Sequence, residues 1–286
     1  MTTDGFAKGW QSSQHGLSVT ALTEKDGAME RDYDYAGGRW FEDLPSPESI
    51  AKSAAKRAIA KLGAQKIESA AMPVIYDRRI ANSLVSAFSS AISGPSITRG
   101  VSFLKDAMGT QVFNKNITIS DDPHRVRAHG SRPWDGEGVA GRKMDLIKDG
   151  ELTSWMLNTA SANQLGLATT GHGHRNIGTP PGVSASNIYI HAGQKSPEQL
   201  MKDIGAGLLI TDMFGPSLNA NTGDYSVGVS GFAIANGERQ HPVNEITVAG
   251  NLKDMFKTMI AANDLKFDQP MCAPSLLINE MVVASG

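Results

Sequence analysis

Seven histidines and one cysteine are the side chains from which a metal or nucleophilic site would be built in this chain. His124 and His129 stand five apart beside Asp121, Asp122, Asp135 and Glu137. Imidazole and carboxylate of that kind can ligate a metal from a loop. The same residues also make a solvated, turn-rich segment in which Asp and Gly set the backbone. His172 and His174 flank Gly173. Alternate residues of an extended segment can face one ion, and the plainer reading is a flexible Gly-rich loop. No histidine is followed by glutamate, so the helical H-E-x-x-H signature of a zinc peptidase is absent.

Nucleophilic chemistry finds as little support. Gly228-Val229-Ser230-Gly231 begins a G-x-S-x-G elbow and fails at Phe232. Ser230 reads as a small residue on a crowded strand, and Cys272, with no base beside it, as a small packed hydrophobe. Arg125, Arg127 and Arg132 can clamp a carboxylate or a phosphate bidentately, or balance Asp121, Asp122 and Asp135 in a solvated loop. Thr222-Gly223-Asp224 reads first as a turn, with glycine giving φ freedom and aspartate bonding the backbone. Its functional alternative is a rim that faces substrate.

Asn219 to Phe256 carries the strongest structural signal. It holds the Thr-Gly-Asp turn, an alternating strand, an Asn236-Gly237 hairpin turn and a helix opening at Asn251 that runs to about Ala261. Upstream, 17–23 and 29–35 alternate around Asp26-Gly27 as a first hairpin. Ser46-Pro47-Glu48 opens a helix over 47–62, 72–76 is a short buried strand, and an apolar stripe from Ile80 to Ile92 predicts a helix over 77–93. A shorter helical piece is expected over 97–107 and a strand near 111–119. A second hairpin is expected at 140–147 and 151–156 around Asp149-Gly150. Helices are expected at 158–165 and 196–205, and strands at 187–191, 208–213, 225–235, 238–249 and 275–283. Two long loops, 121–138 and 169–186, are of the length that usually carries function or disorder.

These elements predict an α+β fold. Residues 71–286 form a largely antiparallel β-sheet domain with packed helices, and residues 1–70 are the end of an α/β-type N-terminal domain. A two-stranded hairpin is marginal alone, so the first unit reads as truncated. With 286 residues, 40% hydrophobic and 20% charged, the chain can bury a full core. A net charge of -2 gives no electrostatic footprint for nucleic acid. No apolar run reaches the roughly 18 residues of a membrane helix, and residues 1–10 lack a signal-peptide core. A single cysteine fits a reducing compartment, so a cytoplasmic location is expected.

Several stretches closely resemble the PmbA (TldE) branch of the TldD/PmbA family. They are RDYDY (31–35), ISGPS (92–96), SFLKDAMG (102–109), DDPHR (121–125), SRPWDGEGV (131–139), TGDYS (222–226), NGE (236–238), PVNEITVAGNLKDMF (242–256) and PSLLI (274–278). Members of the TldD type resemble zinc peptidases with a His-Glu-three residues-His motif on the helix after the first strand of the C-terminal domain. Here Val85 and Ser86 stand where the first His and the Glu would be, and Ser90 where the second His would be. Cys272 lies too near the last strand for the family's cysteine ligand.

The resemblance therefore implies a non-catalytic subunit with no metal of its own. It would pair with a TldD-like protein that carries the zinc, in a heterodimeric metallopeptidase linked to microcin-precursor maturation, antitoxin degradation and the label of DNA gyrase modulator. It would bind a peptide substrate, and the chain alone is a candidate homodimer. His124, Arg132, Asp135, His172, Thr222, Asp224 and Tyr225 are the residues expected to face peptide or partner. Two other readings stay open: a stand-alone peptide- or protein-binding regulator using the long loops, and a loop-built metal enzyme using His124 and His129.

Overall fold

A computed structural model describes residues 5–285. Residues 1–4 of the stretch read as lacking a leader core lie outside the described residues. Helix accounts for 21% and strand for 37%, so the fold is mixed, as expected. The chain opens with strands β1 (His15–Lys25) and β2 (Ala28–Gly38), paired in full antiparallel register across Asp26-Gly27. Both turn residues have positive φ, 53° and 81°, which is why Asp-Gly is found there. Helix α1 (Pro47–Ala60) covers the inner face of this hairpin. Ser46 accepts a hydrogen bond from the Ser49 amide at 3.2 Å, and Pro47 occupies the first turn.

Strand β3 (Ala70–Tyr76) leads into helix α2 (Arg78–Ala91), capped by Asp77 on the Arg79 amide at 2.9 Å. A five-residue helix α3 (Gly94–Thr98) follows. The expected helix over 97–107 is cut short there, and turns carry the chain onward. The expected strand near 111–119 is almost all irregular, because Val112, Phe113 and Ile117 bury their side chains from a non-strand backbone. Only β4 (Ile119–Asp121) remains. With β5 (Met144–Lys148), β6 (Glu151–Leu152), β9 (Ile188–Ile190) and β14 (Met271–Cys272) it forms a five-stranded sheet in the order β14-β9-β4-β5-β6. Between β6 and β9 lie helix α4 (Thr159–Leu165) and a two-residue ladder of β7 (Gly173–His174) with β8 (Gly182–Val183).

After helix α5 (Pro197–Ile204) come β10 (Gly207–Leu218), β11 (Asp224–Ala235) and β12 (Glu238–Asn251). Helix α6 (Leu252–Thr258), β13 (Ile260–Ala261) and β15 (Leu276–Ser285) complete the chain. The larger sheet runs β12-β11-β10-β3-β15-β13. Strand β12 also pairs back to β15, Ile246–Ala249 against Val282–Ser285, so five strands close into a ring. Closure removes sheet edges along the closed part. The core runs from the inward residues of this ring through α2 to the second sheet. An aromatic cluster sits at its middle, with Phe113 stacked on Phe256 at 4.3 Å and edge-on to Phe88 at 5.2 Å. The helix expected to reach Ala261 stops at Thr258, because β13 is drawn out to pair with β15 and buries Ala261.

Candidate functional site

Helix α2 carries Val85, Ser86 and Ser90, the positions at which the sequence resemblance sets the family's metal motif. Val85 is 1% exposed and belongs to the core with Leu84 and Phe88, while Ser86 and Ser90 are exposed one turn apart. An aliphatic side chain facing inward and two hydroxyls facing outward do not make a zinc donor set. Among the described residues, no group of three His, Cys, Asp or Glu side chains is placed to hold a metal. Cys272 is 4% exposed and donates its thiol to the Gln269 carbonyl at 3.0 Å. Burial pushes the thiol's pKa up, away from the thiolate that would bind metal or attack.

The two long loops interlock. Asp121 ends β4 with its carboxylate buried, accepting from the Ser186 amide (2.9 Å), the Ser186 hydroxyl (2.7 Å) and Nε2 of His172 (3.2 Å). Nδ1 of His172 faces the Thr170 hydroxyl at 2.8 Å, so the network fits the Nε2–H tautomer. Asp135 gathers three amides, of Glu137 (2.8 Å), Val139 (2.9 Å) and Gly173 (2.7 Å). A Cβ on Gly173 would come within 2.8 Å of Asp135 Oδ2, so only glycine lets the loops approach this closely. Arg132 donates to the Ser184 carbonyl at 2.9 Å. Burial lowers its pKa, offset in part by Asp121 and Asp135.

These contacts correct part of the sequence reading. His172 and Asp135 are 2% and 4% exposed and act as clasps between loops, so they do not face outward. His124 is exposed, its Nε2 on the Gly141 carbonyl at 2.9 Å, while Nε2 of His129 reaches the Gly37 carbonyl at 3.1 Å. The two rings therefore serve different backbones and do not converge. His174 is likewise exposed and apart from His172. Tyr225 is a core residue of the strand ring, and its hydroxyl has no hydrogen-bond partner among the described residues. Thr222 and Asp224 are exposed, yet their side chains are engaged locally. The Thr222 hydroxyl meets Asp224 at 2.6 Å, and Asn251, which caps α6 on the Lys253 amide, donates to Asp224 at 2.9 Å.

What sequence reasoning missed is a groove of about 630 Å³ between β2 and β10. Its floor holds Asp32, Lys61 and Asp212, and its walls carry Leu22, Met29, Met213 and Phe214. Strand β10 pairs with β3 only over Leu208–Ile210. Past Ile210 its groove-side edge has no strand partner among the described residues. An unpaired edge beside apolar walls is suited to accept an extended peptide as an added strand. The bulge in β10 between Ile210 and Asp212 marks where it leaves β3.

The model of the PmbA/TldA metallopeptidase C-terminal domain matches residues 69–285, and that of the central domain of the same family matches residues 1–62. The chain belongs to the PmbA/TldA metallopeptidase family. It is 40% identical to the metalloprotease PmbA of Escherichia coli O157:H7 over 98% of this chain and 60% of that protein. It is 36% identical to a PmbA homologue of Haemophilus influenzae over 99% of this chain and 61% of that protein. The chain thus spans about three fifths of the length of these relatives. Among solved structures, a Bacteroides thetaiotaomicron protein assigned as a modulator of DNA gyrase superposes with a TM-score of 0.91 at 26% identity, over 99% of this chain and 63% of that one. TldE from Thermococcus kodakarensis shares the fold at a TM-score of 0.85 and 21% identity, over 95% of this chain and 63% of that one. No described helix is long and apolar enough to cross a membrane.

Proposed function

We propose that this PmbA/TldA-family chain is the non-catalytic, TldE-like subunit of a heterodimeric peptidase. A TldD-type partner supplies the zinc and the hydrolysis, and this chain holds the peptide. The observation that carries the reading is the burial of aliphatic Val85 in the core, taken with the sequence resemblance that sets the family's first ligand at that residue. The open edge of β10 supplies a means of holding a peptide by its backbone, with little demand on its sequence. Residues 1–70 and 71–286 serve as two units of the subunit, and the complex works in the cytoplasm on substrates such as a microcin precursor or an antitoxin.

The test is co-purification with a TldD-type protein, zinc quantification on each subunit, and peptide cleavage assays on the separate and mixed proteins. The expected result is zinc on the partner and cleavage with both proteins present. Chelator-sensitive cleavage by this chain alone would overturn the proposal.

A further inference from the structure

A second cleft, also of about 630 Å³, opens where β2 and α1 meet residues 125–129 and 266–268. Five fixed cations line it: Arg57, Arg78, Arg125, Arg127 and Lys266. Three carboxylates line it too, and each is already taken. Asp34 pairs with Arg57 at 3.1 Å, Asp268 with Arg78 at 2.6 Å and Asp43 with Arg127 at 2.8 Å. Arg125 and Lys266 are left without a carboxylate partner among the described residues. The Arg125 guanidinium sits over the Phe267 ring, 3.2 Å from its centroid. That contact positions the group while using none of its N–H donors. Across the cleft Arg127 lies over Trp40, at 4.9 Å, from a backbone with φ of 59°. A left-handed, non-glycine residue carries strain that has to be offset elsewhere, and such positions cluster at binding sites.

We infer that this cleft binds an acidic polypeptide segment, with its carboxylates on Arg125 and Lys266. Two free cations among three paired carboxylates suit one or two charges spaced along a peptide. A dense polyphosphate would meet Asp34, Asp43 and Asp268 at close range, and a chain of net charge -2 has no extended positive field to attract it. Phe267 adds aromatic surface for the peptide's apolar atoms. Tyr35 lines the same cleft, and burial together with the charge of Asp268 keeps its hydroxyl protonated as a further donor. Binding here requires no partner subunit, so it goes beyond the peptidase reading and rests on it only for its use in the complex.

The test is fluorescence anisotropy on the chain alone, with three labelled probes: a Glu-containing peptide, the same peptide with Gln for Glu, and a single-stranded oligonucleotide. The Glu peptide is expected to bind, to weaken with added salt, and to exceed the Gln peptide by about tenfold, as expected for one charge-assisted contact. Lys266→Gln, at an exposed position, and Arg125→Gln are each expected to lower affinity about tenfold with the melting temperature unchanged for Lys266→Gln. Equal affinity for the two peptides, no binding, tighter binding of the oligonucleotide, or wild-type affinity in Lys266→Gln would each overturn the proposal. Glu-peptide binding without any gain in cleavage on mixing with a TldD-type partner would reject the peptidase reading alone.

Discussion

Nζ of Lys61 lies 2.8 Å from Oδ2 of Asp32, and both side chains are almost wholly buried. Lys61 caps the C-terminal end of α1 and Asp32 sits on β2. Arg79 of α2 holds the other carboxylate oxygen at 2.9 Å, and Lys61 also meets Asp212 of β10. Four elements therefore share one buried charge network, and it fastens the first hairpin to the ring of strands. Removing one member of a buried pair leaves the other uncompensated, at a cost of about 3–5 kcal/mol. Lys61→Ala is expected to lose about 3 kcal/mol or more in a urea titration, with the largest gain in amide exchange in β1 and β2. A loss confined to a few tenths would show that apolar packing alone holds the hairpin.

The same network sets an acid limit. Burial pushes the Asp32 carboxyl up, but the bonds from Lys61 and Arg79 outweigh it and hold its pKa below the usual carboxylate range. A carboxyl whose folded pKa is lowered contributes stability that is complete above its unfolded value of about 4 and is lost as pH falls through the folded value. Asp34 is shifted in the same direction, with burial again opposed and exceeded by bonds from Ser53 and Arg57. Thermal melting is expected to be insensitive to Asp32 ionisation at neutral pH and to fall below about pH 4. Asp32→Asn is expected to flatten that acid fall while lowering stability at pH 7. An unchanged acid slope in the variant would assign the fall to other carboxyls.

His172 and Asp121 give a separate test in the loops. Replacing His172 by alanine removes a donor from a buried carboxylate and the acceptor of the Thr170 hydroxyl. The expected loss is about 1–3 kcal/mol, with amide exchange rising over residues 170–186 and leaving the strand ring unchanged. Peptide binding in either groove should persist, because neither groove is lined by His172. Loss of binding with intact stability would make His172 a binding residue and restore the outward-facing role expected from sequence.

Local chemistry was the part of this fold that the sequence made legible. Asp26-Gly27, Asp149-Gly150 and Asn236-Gly237 each sit at a hairpin with positive φ at both residues, as their side-chain chemistry requires. Ser46, Asn158, Ser196 and Asn251 all accept backbone amides at helix starts. Long-range partnership was not legible. Phe113 falls in the stretch expected as a strand near 111–119, yet it is fixed by stacking on Phe256, 143 residues later in this numbering. Helix α6 ends early because β15 offers its neighbour a ladder, which no local signal announces. In the candidate site, Arg132 and Asp135 were expected to face peptide or partner, and the contacts that turn them inward instead, to Ser184 and Gly173, come from another loop. The one available hint was the spacing of small residues: Gly173 stands where only a missing side chain lets the loops meet.

Tyr225 supplies the last prediction, and it runs opposite to the others. Its ring packs inside the strand ring and its hydroxyl is buried without a hydrogen-bond partner. Burial raises its pKa to about 12, so the group stays a neutral phenol. The neighbouring phenol of Tyr76 turns its own hydroxyl to the Met281 sulfur at 3.5 Å, and its oxygen offsets only part of that rise. A buried polar group left unsatisfied costs about 1–3 kcal/mol, and phenylalanine removes the hydroxyl while keeping the ring. Tyr225→Phe is therefore expected to leave stability unchanged or raise it by up to about 1 kcal/mol, whereas Tyr225→Ala should cost about 3 kcal/mol or more through the cavity it opens. Urea titrations of the two variants separate the ring from the hydroxyl. A clear loss in Tyr225→Phe would show that a bound water or the Tyr76 oxygen serves the hydroxyl in solution, and that the interior of the ring is polar at this level.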